Sequence, residues 1–168
     1  FLAMHPGVKA GNLKEFIELA RAKPGAINFG SPGNGSAPHL AIALFQQMTK
    51  TELVHIPYKG DAPAIIDLIG GQIQLYFGGP LVLSPHLNAG RLRGLAVTSE
   101  QRSRVMPELP AIGELVPGYA APIWYGMWAH ARTPPKVVRR LNAQVNAIVQ
   151  KDDVRRQFDE LGITPAPM

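Results

Sequence analysis

The sequence predicts an α/β domain with a parallel-type sheet, and three observations carry that prediction. Short apolar runs, Ala26 to Phe29, Leu53 to Ile56 and Ile73 to Phe77, each pass into a loop marked by glycine or proline and then into a helical pattern. Alternation of strand and helix builds parallel sheets, which place such loops together on one rim. With 168 residues, 46% hydrophobic and 17% charged, the chain also has the composition of a packed core rather than of a disordered segment.

In order, Phe1 to Pro6 opens as an apolar strand without a leader or cap, so the chain reads as starting inside a longer protein. Asn12 caps a helix whose apolar stripe is Leu13, Phe16, Ile17 and Ala20, and Pro24-Gly25 ends it. The strand Ala26 to Phe29 then enters Gly30-Ser31-Pro32-Gly33-Asn34-Gly35-Ser36-Ala37, followed by a helix from about Pro38 to Lys50 with Ser36 as N-cap. Leu53 to Ile56 is closed by Pro57. The loop Tyr58-Lys59-Gly60-Asp61 follows, and a helix from Ala62 to Ile69 has Asp61 as its expected N-cap. Ile73 to Phe77 runs into Gly78-Gly79-Pro80 and a helix from Leu81 to Asn88. Leu92 to Thr98 reads as a strand buried on both faces.

From Ser99 to Pro122 the chain is irregular and proline-rich, with a helical stretch from Ala111 to Val116. Ile123 to Ala129 has the pattern of a further strand, with Trp124 and Trp128 expected in a core or interface. Thr133-Pro134-Pro135 opens a long amphipathic helix with Val137, Val138, Leu141, Val145, Ile148 and Val149 on one side, and Asp152-Asp153 opens another that ends near Leu161-Gly162. Thr164 to Met168 stops without completing an element, so the C-terminus also reads as cut.

The loop between Phe29 and Leu40 attracts a functional reading. Glycine permits close backbone approach, and the first amides of a helix lack intrahelical acceptors and stand at the positive end of its dipole, so an anion is expected against the amides of Asn34 to Ala37. A P-loop would need Lys and then Ser or Thr after Gly35, and a dinucleotide fingerprint would need glycine at Pro38; neither is met. A loop that merely turns the chain is the plain alternative. Serine catalysis by Ser36 with His39 as base is another, although no group to orient that histidine stands nearby in sequence.

Composition narrows the rest. Cysteine is absent and His5, His39, His55, His86 and His130 are scattered, which argues against thiol chemistry and a preformed metal site; no cofactor is expected. The net charge of +5 comes largely from helix-face Arg and Lys in the last third, without interleaved aromatics, so nucleic acid is not the expected partner. Leu19 to Thr51 and Leu68 to Ser99 contain no carboxylate, as an anion site would require.

Several separated motifs then point one way. Ile27-Asn28-Phe29-Gly30-Ser31-Pro32-Gly33-Asn34-Gly35-Ser36, His39-Leu40, Val54-His55-Ile56-Pro57-Tyr58-Lys59-Gly60, Leu95-Ala96-Val97-Thr98-Ser99 and Pro117-Gly118-Tyr119 resemble, in this order, the Bug solute-binding proteins. These are the extracytoplasmic receptors of tripartite tricarboxylate transporters. The resemblance implies a periplasmic-binding-protein-like Venus flytrap, with residues 2–121 as a complete second ligand-binding α/β domain and residues 122–168 as a return strand and helices of the first. It implies a non-enzymatic, periplasmic receptor that takes a small carboxylate or similar organic anion and presents it to the transporter's membrane components.

By the same resemblance Ser31, Gly33, Asn34, Gly35 and Ser36 line the carboxylate-facing loop, with His39 in the helix behind it; Ala37 joins the candidate ligand-binding residues through its helix N-terminal amide. Tyr58, Lys59 and Gly60 form the second loop, and Gly78 with Gly79 the third. The family often carries Asp or Asn in that third loop, so two glycines imply room for a bulkier ligand. Residues 122–168, without a complete partner layer, are expected to pack back on the other domain or to be covered in a homodimer. A structural fragment that dimerises through its exposed domain interface is the remaining alternative.

Overall fold

The computed structural model describes residues 1–165, so the reading of Thr164 to Met168 lies partly outside the described residues. The chain forms two compact units, Phe1–Ile123 and Trp124–Met168.

The first unit is built on a five-stranded sheet. Its strands are β1 (Leu2–Met4), β2 (Asn28–Ser31), β3 (Val54–Pro57), β4 (Leu75–Phe77) and β5 (Arg93–Ala96), in the order β3-β2-β4-β1-β5. β2 pairs in parallel with β3 and β4, while β1 is antiparallel to both β4 and β5. Four strands therefore run one way and β1 runs against them. Alternation along the central strands sorts the core into two layers. Leu2, Met4, Leu75 and Phe77 face α1 (Leu13–Ala22) and α2 (Ala37–Thr49), where Phe16, Ala20, Ile42 and Phe45 are buried. Ala3 and Tyr76 face the other way, toward Ala64, Ile65 and Leu68 of α3 (Asp61–Ile69) and Leu83 of α4 (Pro80–Asn88).

Local chemistry explains the element ends. The Asn12 side chain accepts from the Glu15 amide at 3.0 Å, and Glu15 Oε2 accepts from the Gly11 amide, which closes the first turn of α1. Ser36 caps α2. The expected cap of α3 is corrected: Gly60, with φ 112°, is the N-cap, and Asp61 is the first helical residue, its carboxylate taken by the Tyr76 hydroxyl. β5 has the expected burial at Leu95 and Ala96, but it lies at the edge of the sheet. Arg93 and Gly94 are only half-buried, and the edge is shielded where Val97 bridges Ala111 ahead of the short helix α5 (Ile112–Leu115).

The second unit holds α6 (Pro135–Val149) and α7 (Asp152–Glu160). The expected return strand from Ile123 to Ala129 is absent: this segment has no regular structure, since a strand exists only where a neighbouring backbone supplies its ladder. The ring centroids of Trp124 and Trp128 lie 5.5 Å apart and the two residues are 71% and 77% exposed, so of the expected core or interface placement the core is overturned. Val137, Val138, Leu141 and Ile148 of α6 are also exposed.

Candidate functional site

Because β2, β3 and β4 are parallel, the loops that follow them share one rim, and each opens a helix: α2, α3 and α4. Three helix N-termini thus bring their unsatisfied amides and positive dipole ends to that rim. α3 and α4 begin at glycines, Gly60 and Gly79, without a side-chain cap.

The first loop is shaped from inside. Ser31, fully buried at the end of β2, donates from Oγ to the Gly33 carbonyl at 3.0 Å and accepts from the Gly33 amide at 3.2 Å. Ser36 Oγ donates to the same carbonyl at 2.7 Å and accepts from the His39 amide. Gly33 (φ 140°) and Gly35 (φ 74°) hold backbone conformations that other residues rarely adopt. The expectation of free amides from Asn34 to Ala37 is halved. The Gly35 N–H donates to His39 Nδ1 at 3.0 Å and the Ser36 N–H to the Gly33 carbonyl at 3.3 Å, which leaves the Asn34 and Ala37 amides without an acceptor among the described residues. Asn34, Gly35 and Ala37 are exposed.

A residue missed in the sequence lies behind this loop. The His55 ring on β3 stacks on His39 with centroids 4.0 Å apart and on Phe29 at 4.8 Å, and its Nε2 lies 2.7 Å from Ser31 Oγ. Burial and the charge of His39 lower the His55 pKa, so its ring favours the neutral form. The signal was the parallel pairing of Phe29 with His55, a register that sequence spacing does not display.

The second loop is joined to the first. The Tyr58 amide donates to the Ser31 carbonyl at 2.9 Å, and its hydroxyl donates to Asp67 Oδ2 at 2.7 Å. Burial first, then the bond and charge of Asp67, push the Tyr58 phenol up to about 12, so it stays a donor. Lys59 is exposed and Gly60 starts α3.

The third loop corrects the reading of its glycines. Gly78 is buried, and its amide and carbonyl are both bonded to Phe1, at 3.0 and 2.7 Å. A Cβ there would stand 2.9 Å from Tyr76 Cε1 and 3.1 Å from Leu83 Cδ1. Its missing side chain accommodates packing rather than a larger ligand. Gly79 alone remains at the rim, as the N-cap of α4.

Catalysis by Ser36 and His39 does not fit this geometry. Ser36 Oγ is engaged by the Gly33 carbonyl and the His39 backbone amide, while the His39 ring accepts from Gly35; the two side chains share no hydrogen bond. The close serine–imidazole pair is Ser31 with His55, and that serine is fully buried. Among the described residues no group of His, Asp and Glu is arranged to hold a metal, and no helix is long and apolar enough to cross a membrane.

Known proteins share both sequence and fold. The family model for the tripartite tricarboxylate transporter family receptor matches residues 2–168. Protein BugT of Bordetella pertussis is 34% identical over 165 residues, 98% of this chain and 51% of BugT. A Pseudomonas protein from the tcbD-tcbE intergenic region is 36% identical over 157 residues, 92% of this chain and 47% of its own length. The chain spans about half the length of these curated relatives. Among solved structures, an R. palustris protein with adipate superimposes at TM-score 0.93 with 34% identity, covering 98% of this chain and 55% of that one. MatC from Rhodopseudomonas palustris with bound malate gives 0.91 at 26% identity (99% and 57%), and the periplasmic binding protein BugD gives 0.89 at 30% (96% and 54%). The match over nearly the whole sequence and the agreement in fold lead to one assignment: the chain belongs to the tripartite tricarboxylate transporter family receptors.

Proposed function

We propose that this chain is the α/β half of a periplasmic solute-binding receptor that holds a carboxylate of a small organic acid, without chemistry, for a tripartite transporter. The observation that carries the reading is the rim where three helix N-termini meet. There the Asn34 and Ala37 amides lack an acceptor among the described residues, and the Gly33–Gly35 backbone lets an anion approach closely. The adipate and malate held by two structural relatives support a carboxylate as the ligand class.

In this reading Ser31, Gly33, Asn34, Gly35, Ser36, Ala37 and His39 form the carboxylate loop, Tyr58, Lys59 and Gly60 its neighbour, and Gly79 the third contact. Residues 2–121 make up one ligand-binding domain, and residues 122–168 contribute to the other, which would close over the ligand and give the transporter a closed form to recognise. The exposed α6 stripe and Trp124 are then surface for that other domain, in preference to a homodimer.

Calorimetric titration of the chain with adipate and malate, up to millimolar concentrations, tests the reading, alongside turnover of a generic ester. Saturable binding without turnover is expected. Turnover abolished by Ser36→Ala, or no response to either diacid, would overturn it.

A further inference from the structure

We infer that His39, braced by His55 and Ser31, is a positioning unit for the glycine loop that works only while the His39 imidazole is uncharged, so that acidification weakens anion binding at this rim. The inference rests on the anion-site reading and runs against the simplest electrostatic expectation, in which protonated histidines beside the site would strengthen it.

Hydrogen-bond roles carry the argument. A backbone N–H can only donate, so the Gly35 amide at 3.0 Å obliges His39 Nδ1 to be an acceptor, and the neutral ring must carry its hydrogen on Nε2. A charged imidazole has hydrogens on both nitrogens. It would set an N–H against the Gly35 N–H, and one of the two must move. Gly35 is exposed, sits at φ 74° and would have nothing within 4 Å of a Cβ; its amide is held by the His39 ring, alongside the bonds that Ser31 and Ser36 make to Gly33. The amides of Asn34 and Ala37 flank that tie, Ala37 as the first residue of α2.

The ring itself is fixed from behind. His39 and His55 lie nearly parallel, 10° apart with centroids at 4.0 Å, and His55 lies at 18° to Phe29 while its Nε2 meets Ser31 Oγ. Two charged rings in that stack would repel each other. Nothing around them offsets such charge. Among the described residues no carboxylate is within ion-pair distance of either ring; the α3 acids Asp61 and Asp67 are bonded to the Tyr76 and Tyr58 hydroxyls, and Lys59 after β3 adds only positive charge. The loop is thus wired from β2 through β3 and α2 back to Gly35, and the last link, at His39 Nδ1, exists only in the neutral ring.

Nitrogen-15 NMR of the ligand-free chain and adipate binding measured at pH 8 and pH 6 test the inference together. At pH 8 the His39 ring is expected as the Nε2–H tautomer, with the Gly35 amide resonance moving together with the His39 ring nitrogens between the two pH values. Adipate affinity is expected to fall severalfold at pH 6. In His39→Asn, whose Oδ1 can take the place of Nδ1 and carries no ionisable proton, the difference in adipate affinity between pH 8 and pH 6 should largely vanish, whatever the affinity at pH 8. An Nδ1–H tautomer, a Gly35 amide that does not move with the His39 ring nitrogens, or affinity that rises on acidification would overturn the positioning unit while leaving the anion site standing. If adipate binds at neither pH, the anion reading is what fails, and the tautomer and the Gly35 resonance still decide whether the positioning unit exists.

Discussion

Ser31 Oγ and His55 Nε2 meet at 2.7 Å across the parallel β2–β3 pair, and this contact ties the start of the first loop to the imidazole stack beneath it. Ser31→Ala removes a buried hydroxyl that also bonds the Gly33 amide and carbonyl. Groups left unsatisfied in a buried setting cost about 1–3 kcal/mol. Urea denaturation should show a loss in that range without a change in m-value; an unchanged midpoint would mean that water replaces the hydroxyl freely.

Stability should also depend on pH through His55. Its folded pKa lies below the ordinary 6.5, first because of burial and then because of His39. Between that lowered value and 6.5 the unfolded chain binds more protons at this group than the folded one, so the His55 contribution to stability falls as pH falls through this window and is level above it. Urea midpoints from pH 8 to pH 5 should decline from near neutrality downward. His55→Phe, which keeps a stackable ring, should flatten that part of the curve. A midpoint that rises on acidification would contradict the assignment.

Gly78→Ala should destabilise the fold by about 1–3 kcal/mol through overpacking, because the new methyl would meet the Tyr76 ring and Leu83 in a buried layer. Thermal melting would register this. A neutral Gly78→Ala would show that the third loop has slack, and would reopen it as a place where ligand size is set.

Tyr58→Phe removes the donor to Asp67 and leaves a half-buried carboxylate without that partner. Hydrogen bonds to charged groups contribute about 1.5–3 kcal/mol, so a loss near the lower end is expected from chemical denaturation. In a spectrophotometric titration the same variant should lack one of the late-ionising phenols, since Tyr58 is held up to about 12. If the late phase is unchanged, the Tyr58–Asp67 bond does not persist in solution.

Much of this was readable in the sequence where the cause is local. Asn12 and Ser36 announce their helices because a cap acts within its own first turn, and the glycine and proline loops mark the rim for the same reason. What needs a distant partner was not readable. Asp61 was taken for a cap because its attachment to Tyr76 is tertiary; the segment from Ile123 to Ala129 has strand composition but no ladder; and β1 enters against its neighbours, which no run of apolar residues can encode. The site divides likewise. The glycine loop was visible, whereas the commitment of the Gly35 amide to His39 and the bracing by His55 arise only when β2 and β3 pair in register.

The central claim, that backbone amides at the α2 N-terminus hold a carboxylate, is tested most directly by following the amide resonances of the chain during a titration with adipate. Saturable shifts centred on Asn34 and Ala37 are expected. They should be lost in Gly35→Val, which forces a β-branched residue into φ 74°, and nearly unchanged in Lys59→Ala, an exposed charge of little consequence. Shifts that spare Asn34 and Ala37 and gather elsewhere, for instance along the groove lined by Lys14, Arg21 and Met48, or that vanish equally in both variants, would contradict the account.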